Sequence, residues 1–299
     1  MIKHNKPAFG KPLACGCIAL VLWSFSAIGV SKLSIPAFES LFFAILAGFL
    51  SCVLYLSVFK KWQLCTQPLS YWVLVSTTLI VNNICFYLAF NYCSPILIDI
   101  VCWSWPLFYL VIHNIIQVKS VSRWHWISCL FGISAIVLTF PKTQVVHQWI
   151  GILLATLSAF AWCSYQYIVT FYKKAPAETT TLCMSISTPL VYYCHLHFEK
   201  WVTPNNTDCT ILVILGAGSF FAAFALWHHA MQNGPRLSLA QLSFLTPLLS
   251  MIWLIWLGHY PVSNKTTAAI ICMVVSIMLS LNFLAKQQKQ AQKINTSVI

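Results

Sequence analysis

Ten runs of apolar residues follow one another along the chain, near 13–31, 39–59, 70–90, 95–117, 124–140, 149–171, 178–198, 210–232, 237–258 and 265–285. A helix needs about 20 such residues to cross the hydrocarbon core of a bilayer, and only the fifth run is markedly short of that. Polar breaks separate the runs: Lys60–Lys61, Lys119 to Arg123, Lys142, Lys173–Lys174, Glu199 to Asp208, Gly234–Pro235 and Pro261 to Lys265. None is long enough to hold a domain outside the membrane. The pattern predicts an all-α integral membrane protein with about ten transmembrane helices, ending in a polar, frayed tail over 286–299. The first run, Leu13 to Ser31, is longer than the about 7–15 residues of a signal-peptide core, so no cleaved leader is expected.

Composition agrees. Hydrophobic residues make up 59% and charged residues 7% of the chain, against about 25% charged in soluble domains. The net charge of +12 is spread singly and in pairs, which fits short basic loops beside a membrane and gives no reason to expect nucleic acid. With the N-terminus in the cytoplasm, the inner segments hold Lys3, Lys6, Lys11, Lys60, Lys61, Lys119, Arg123, Lys173, Lys174, Arg236, Lys286, Lys289 and Lys293. The outer ones hold Lys32, Lys142, Lys200 and Lys265. Thirteen of the 17 Lys and Arg then lie inside, so the positive-inside rule places both termini in the cytoplasm of a multi-pass cell-membrane protein. In a bacterium that would be the inner membrane. Most of the 13 Cys sit within apolar runs as packing residues, and Cys15–Gly16–Cys17 lacks the four-ligand set of structural zinc. No metal or cofactor is expected.

The two halves repeat. The stretch Ala89 to Asp99 leading to Pro106–Leu107 resembles Ala230 to Ala240 leading to Pro247–Leu248, with Ala and Pro matched without a gap. Trp23 aligns with Trp162, and Pro36 to Glu39 with Pro176 to Glu178 after one gap. Each half holds five spans, an odd number, so the second half must be inverted in the membrane. Inverted repeats build many secondary transporters, whose substrate site lies between the halves near the midplane.

These motifs resemble the drug/metabolite transporter superfamily, in its ten-helix branch of two EamA-type repeats. The residues concerned are Trp23 and Trp162, Phe86 to Ala89 with Trp227 to Ala230, and Pro106 with Pro247. The resemblance implies a first repeat over 13–140 and a second over 149–285. Within that branch, Ile18 to Ser24, Trp105–Pro106, Ala159 to Trp162 with Tyr165, and Phe244 to Ser250 look like the bacterial aromatic amino acid exporters. Asn82–Asn83 departs from that pattern, standing where it carries Tyr-Glu.

Several residues could handle a solute. An ionisable group within a span costs about 2.5–3.5 kcal/mol on insertion scales, so it usually faces a cavity or a partner. Asp99 is the acid well inside a run; it could bind an ammonium or a coupling proton, or be an interfacial carboxylate reaching water. His228 and His229 could titrate or hydrogen-bond a neighbouring helix; they lie towards the membrane face opposite Asp99. Glu39 and Glu178 open the second span of each half, where the helix dipole favours acids. Asn83 and Tyr87 share a stripe of the third span, and Trp162 shares a helix face with Gln166. Those residues and Gln241 could line a wet cavity or join helices. Trp23 and Trp103, like Trp162, could stack on a planar solute or serve as packing. Pro95, Pro106 and Pro247 are expected to kink their helices.

The expected function is secondary transport of small metabolites by alternating access, by a monomer or a homodimer. Export of an aromatic amino acid is what the resemblance implies, with another metabolite or drug, or import, as alternatives. No Walker sequence is present to drive transport with ATP. An intramembrane enzyme would need paired acids or a His/Asp/Ser cluster, and Asp99 stands alone. A channel or receptor has no evident use for an inverted repeat.

Overall fold

The computed structural model describes residues 10–62, 66–117, 122–139, 146–172, 175–257 and 262–296. Lys3, Lys6, Lys119, Lys142, Lys173, Lys174 and Pro261 lie outside the described residues. Every regular element among the described residues is a helix: α1 Lys11–Ser24, α2 Ser26–Lys32, α3 Ala37–Val58, α4 Leu69–Ala89, α5 Pro95–Cys102, α6 Trp105–Gln117, α7 Arg123–Thr139 and α8 Val146–Phe171. Then come α9 Thr179–Ser185, α10 Thr188–Phe198, α11 Asn206–Leu215, a π-helix Gly216–Ala222, α12 Ala223–Asn233, α13 Arg236–Leu242, α14 Leu245–Trp256 and α15 Asn264–Thr296. They group into ten segments: α1–α2, α3, α4, α5–α6, α7, α8, α9–α10, α11 to α12, α13–α14 and α15.

Eight of these segments are long and apolar enough to cross a membrane. The other two are the fifth, α7, with 17 residues, and the seventh, which is broken between Ser185 and Thr188. Side chains such as Leu54, Leu153, Val213 and Met278 are more than half exposed on the outside of the bundle. Water would penalise such a belt, and lipid requires it.

Proline accounts for three of the breaks. A proline lacks the backbone donor and crowds the carbonyl four residues earlier. The fourth segment breaks at Trp103–Ser104, just before Pro106, and the ninth at Ser243–Phe244, just before Pro247. Pro189 does the same to the seventh segment, which was not anticipated from the sequence. Pro95 does not kink a span. It stands at the first turn of α5, where the missing N–H would have had no partner within the helix. The polar tail also differs from expectation, because α15 continues unbroken to Thr296. Its Lys, Gln and Ala are good helix formers, and the last apolar segment supplies the nucleus.

Helix α3 ends with Lys60 in the left-handed region, φ 51°. The Lys61 N–H reaches the Leu56 carbonyl at 2.9 Å and the Lys60 N–H that of Ser57 at 3.3 Å, which satisfies two terminal carbonyls.

The packing maps onto itself when the first five segments are exchanged with the last five. The third segment lies along the sixth (α4 on α8), and the eighth lies along the first (α12 on α1). The second packs on the eighth (α3 on the π-helix), and the third on the seventh (α4 on α9). The fifth pairs with the tenth, and the second with the seventh, as their own counterparts. The tightest approach is between α3 and the π-helix. A Cβ on Gly48 would stand 3.1 Å from the Gly216 carbonyl, and one on Gly216 would stand 2.8 Å from the Gly48 nitrogen. Small residues allow such backbone proximity, and dispersion then holds helices together where the hydrophobic effect cannot.

Candidate functional site

A cavity of ≈ 750 Å³, counting the open space at its mouth, lies between the two halves. It is lined by the later parts of the first and third segments (Trp23, Ser26, Val30; Asn82, Asn83, Phe86, Tyr87) and the start of the fourth (Asp99, Cys102, Trp103, Trp105). Ser158 and Trp162 of the sixth segment and Ser219, Phe220 and Phe224 of the eighth complete it. With ten alternating passes, Val30, Tyr87 and Asp99 lie in the half of the bundle remote from the face of the two termini, while Trp23, Trp162 and Phe224 lie near its middle.

Trp23 is the hub. Its ring centroid lies 5.4 Å from that of Trp162, with the planes at 86°. These are the two residues matched between the halves, so the repeat brings its own counterparts into edge-to-face contact at the centre of the bundle. Trp103, Phe224 and Trp227 surround the same ring at 5.8, 5.4 and 5.7 Å. The break at Trp103–Ser104 places the Trp103 ring against Trp23, and its indole N–H donates to the Asp99 carboxylate at 2.9 Å. Asp99 is only 5% exposed. Its aligned position in the second half is Ala240, so the site holds one carboxylate where perfect symmetry would give two.

The π-helix serves this wall. Its wider ladder directs some carbonyls away from the usual partners four residues on. The Ser219 carbonyl accepts from the Trp23 indole at 3.0 Å, and the Phe220 carbonyl accepts from the Thr181 hydroxyl at 3.0 Å. The Ser26 hydroxyl donates to that of Ser219 at 2.8 Å. Across the cavity, the Asn82 amide donates to the Ser158 hydroxyl at 2.9 Å and to its carbonyl at 3.1 Å, while the Ser158 hydroxyl returns a bond to the Asn82 carbonyl.

Of the residues singled out in the sequence, Trp23, Asn83, Tyr87, Asp99, Trp103 and Trp162 meet in this cavity. Gln166, His228 and Gln241 do not line it. His228 is fully buried, with Nδ1 2.9 Å from the Thr180 hydroxyl and Nε2 3.0 Å from the Ala175 carbonyl, so it joins the eighth segment to the seventh. Gln241 joins three segments: its Oε1 lies 2.6 Å from His125 Nδ1 and accepts from Ser280, and its amide donates to the His125 carbonyl. The Gln166 amide is fully enclosed, and neither its oxygen nor its nitrogen has a partner. Glu39 and Glu178 have different neighbours. Glu39 accepts from the Val202 N–H at 3.1 Å, and Glu178 lies 3.7 Å from Lys61 Nζ.

Sequence reasoning missed Phe86, Trp105, Phe220 and Phe224 as lining residues. Phe86 was visible, since it opens the repeated aromatic–x–x–Ala motif. The others carry no local signal that separates a cavity aromatic from a lipid-facing one.

Residues 149–282 match the EamA-like transporter family. Over that stretch the second half of the chain is similar to an EamA-type transporter unit. The aromatic amino acid exporter YddG of Ancylobacter novellus is 25% identical over 273 residues, which cover 87% of this chain and 92% of that protein. A solved crystal structure shares the fold with a TM-score of 0.80 at 22% identity, over 93% of this chain and 98% of that one. The superfamily likeness and the all-helical membrane fold read from the sequence are therefore borne out.

Proposed function

We propose that this EamA-type protein is a secondary transporter that moves a small aromatic metabolite, an aromatic amino acid among them, outward across the cell membrane. The observation that carries this reading is the Trp23–Trp162 contact beside Asp99, at the junction of the two matched halves. Residues 13–140 and 149–285 are the two repeats, and the bundle encloses its solute where they meet. The likeness to an aromatic amino acid exporter supports the direction and the substrate class.

With both termini in the cytoplasm, the cavity faces outward and the packed Trp105, Tyr109 and Tyr167 close the inner side. Tyr109 and Tyr167 stack there at 4.6 Å, and Trp105 meets Tyr109 at 5.8 Å. Exchange of the two repeats' conformations would close the outer cavity and open an inner one around the residues aligned with its lining. Ala240 and His228 would then take the places of Asp99 and Tyr87. Asp99 is the group able to exchange a coupling proton. An enzymatic role is disfavoured because, among the described residues, Asp99 has neither a second acid nor a histidine beside it in the cavity lining.

Uptake of radiolabelled tryptophan and phenylalanine into proteoliposomes, with and without a pH gradient, tests the proposal. Flux above that of empty liposomes is expected. Absence of flux for every metabolite tried, together with hydrolase activity, rules it out.

A further inference from the structure

We infer that the cavity selects aromatic cations: it binds a planar ring and an ammonium group, and it disfavours the carboxylate that distinguishes an amino acid from the corresponding amine. The inference rests on the cavity being the transport site, and it names the chemistry that site prefers.

The wall is aromatic on several sides, with Trp103, Trp162 and Phe224 each in ring contact with Trp23 and Trp162 also meeting Phe224. Faces of indole and phenyl rings attract a cation by about 0.5–1 kcal/mol when exposed and about 2 kcal/mol or more when desolvated, with tryptophan the best. Among these rings stands one buried carboxylate, Asp99. No Lys, Arg or His lines the cavity among the described residues. An incoming cation therefore meets an opposite charge and several ring faces. An incoming anion meets no positive side chain.

The neutral donors fill that gap only in part, with the Tyr87 hydroxyl left open to a ligand. The amides of Asn82 and Asn83, the hydroxyls of Ser26 and Ser158, and the indoles of Trp23 and Trp103 all donate to protein acceptors. The remaining indoles, Trp105 and Trp162, have nitrogens without a partner, but those nitrogens are enclosed. An α-amino acid docked by its ammonium at Asp99 would hold its own carboxylate one carbon away, next to the Asp99 charge. Two like charges in a low-dielectric site repel strongly, and a buried charge without a partner carries a large desolvation cost. Amidation or removal of the carboxylate eliminates both penalties and leaves the ring and the ammonium intact.

The test is equilibrium binding of radiolabelled tryptamine to the full-length protein in lipid nanodiscs, displaced by tryptamine, tryptophan amide, tryptophan and indole-3-propionate. Tryptamine and tryptophan amide should bind alike, and tryptophan about tenfold or more weakly, a ratio equivalent to about 1.4 kcal/mol. Indole-3-propionate should not displace. Asp99→Asn should weaken tryptamine by a similar factor, with thermal unfolding confirming that the variant is folded. The inference is overturned if tryptophan matches its amide, if indole-3-propionate competes, if no amine binds, or if a folded Asp99→Asn protein binds tryptamine unchanged. Should that variant not fold, the ranking of the four ligands on the natural protein decides alone. Flux of the same ligands in proteoliposomes separates the two readings. If none moves, the transport proposal fails while the binding order still stands or falls by itself.

Discussion

The indole N–H of Trp23 donates to the backbone carbonyl of Ser219 at 3.0 Å, across 196 residues of chain. That carbonyl belongs to the π-helix of the eighth segment, just where the first segment presents its tryptophan. It ties two helices from opposite halves in the wall of the aromatic cavity.

Trp23→Phe keeps a ring in place but leaves the Ser219 carbonyl without its donor. Loss of a buried partner costs about 1–3 kcal/mol. The variant should unfold at a lower temperature in detergent, and its affinity for aromatic ligands should fall, since the ring that touches Trp103, Trp162 and Phe224 is smaller. Equal unfolding temperatures for the two proteins would show that the bond contributes nothing.

The contact between α3 and the π-helix makes a sharper demand. Gly216→Leu puts a branched side chain where a Cβ alone already presses on the Gly48 backbone. Overpacking typically costs about 1–3 kcal/mol, and two backbones in contact have no flexible side chain to move aside. We expect a sharp fall in folded yield and in unfolding temperature. Size-exclusion and thermal-unfolding profiles would check it.

Gln241→Ala should separate structure from function. The amide is 2% exposed and serves His125 and Ser280 from the ninth segment, outside the cavity lining. Its removal takes the partner from the buried His125 Nδ1, at a cost of about 1–3 kcal/mol. The unfolding temperature should drop while the ligand affinity of the folded fraction stays within about twofold, because no ligand contact is lost. A selective loss of affinity would place Gln241 in the site after all.

Lys61 lies just beyond the end of α3, outside the membrane span. Its ammonium donates to the Tyr55 hydroxyl at 2.6 Å and lies 3.7 Å from Glu178. The Tyr55 hydrogen bond, with Glu178 as a lesser contributor, raises its pKa above the usual 10.5. A raised lysine stabilises the fold fully below its unfolded value, and that contribution disappears as the pH climbs through the folded value. Lys61→Met should therefore lower stability slightly at neutral pH, by less than about 1 kcal/mol for so exposed a pair. The difference from the natural protein should vanish above the lysine range, as followed by unfolding temperature against pH.

The reach of sequence reasoning here follows from physics. Spans were legible because lipid imposes hydropathy residue by residue, and Trp23, Trp162 and Asp99 because a repeat or a lone charge marked them. Whether a buried amide lines a cavity or joins helices is decided by residues on other segments, such as His125 for Gln241, 116 residues away. Asn83, Gln166 and Gln241 therefore read alike and ended in three different settings. The π-helix has no recognisable pattern in 216–222. The break at Pro189 did have one, the same rule that applied to Pro106 and Pro247.

Gln166 gives a prediction whose sign runs against most core substitutions. Its amide is fully buried, with neither polar atom partnered. A buried polar group in that condition costs about 1–3 kcal/mol, and an apolar side chain of similar shape removes the cost. Gln166→Leu should therefore raise the unfolding temperature. The residue lies one turn beyond Trp162 along the same helix face, on the side that must open if the halves exchange conformations. There the amide would be hydrated and favourable, whereas leucine would not be. The same variant should slow flux in proteoliposomes while leaving ligand binding to the present cavity unchanged. A variant that is both less stable and equally fast would show that Gln166 is satisfied in the closed state and idle in the cycle.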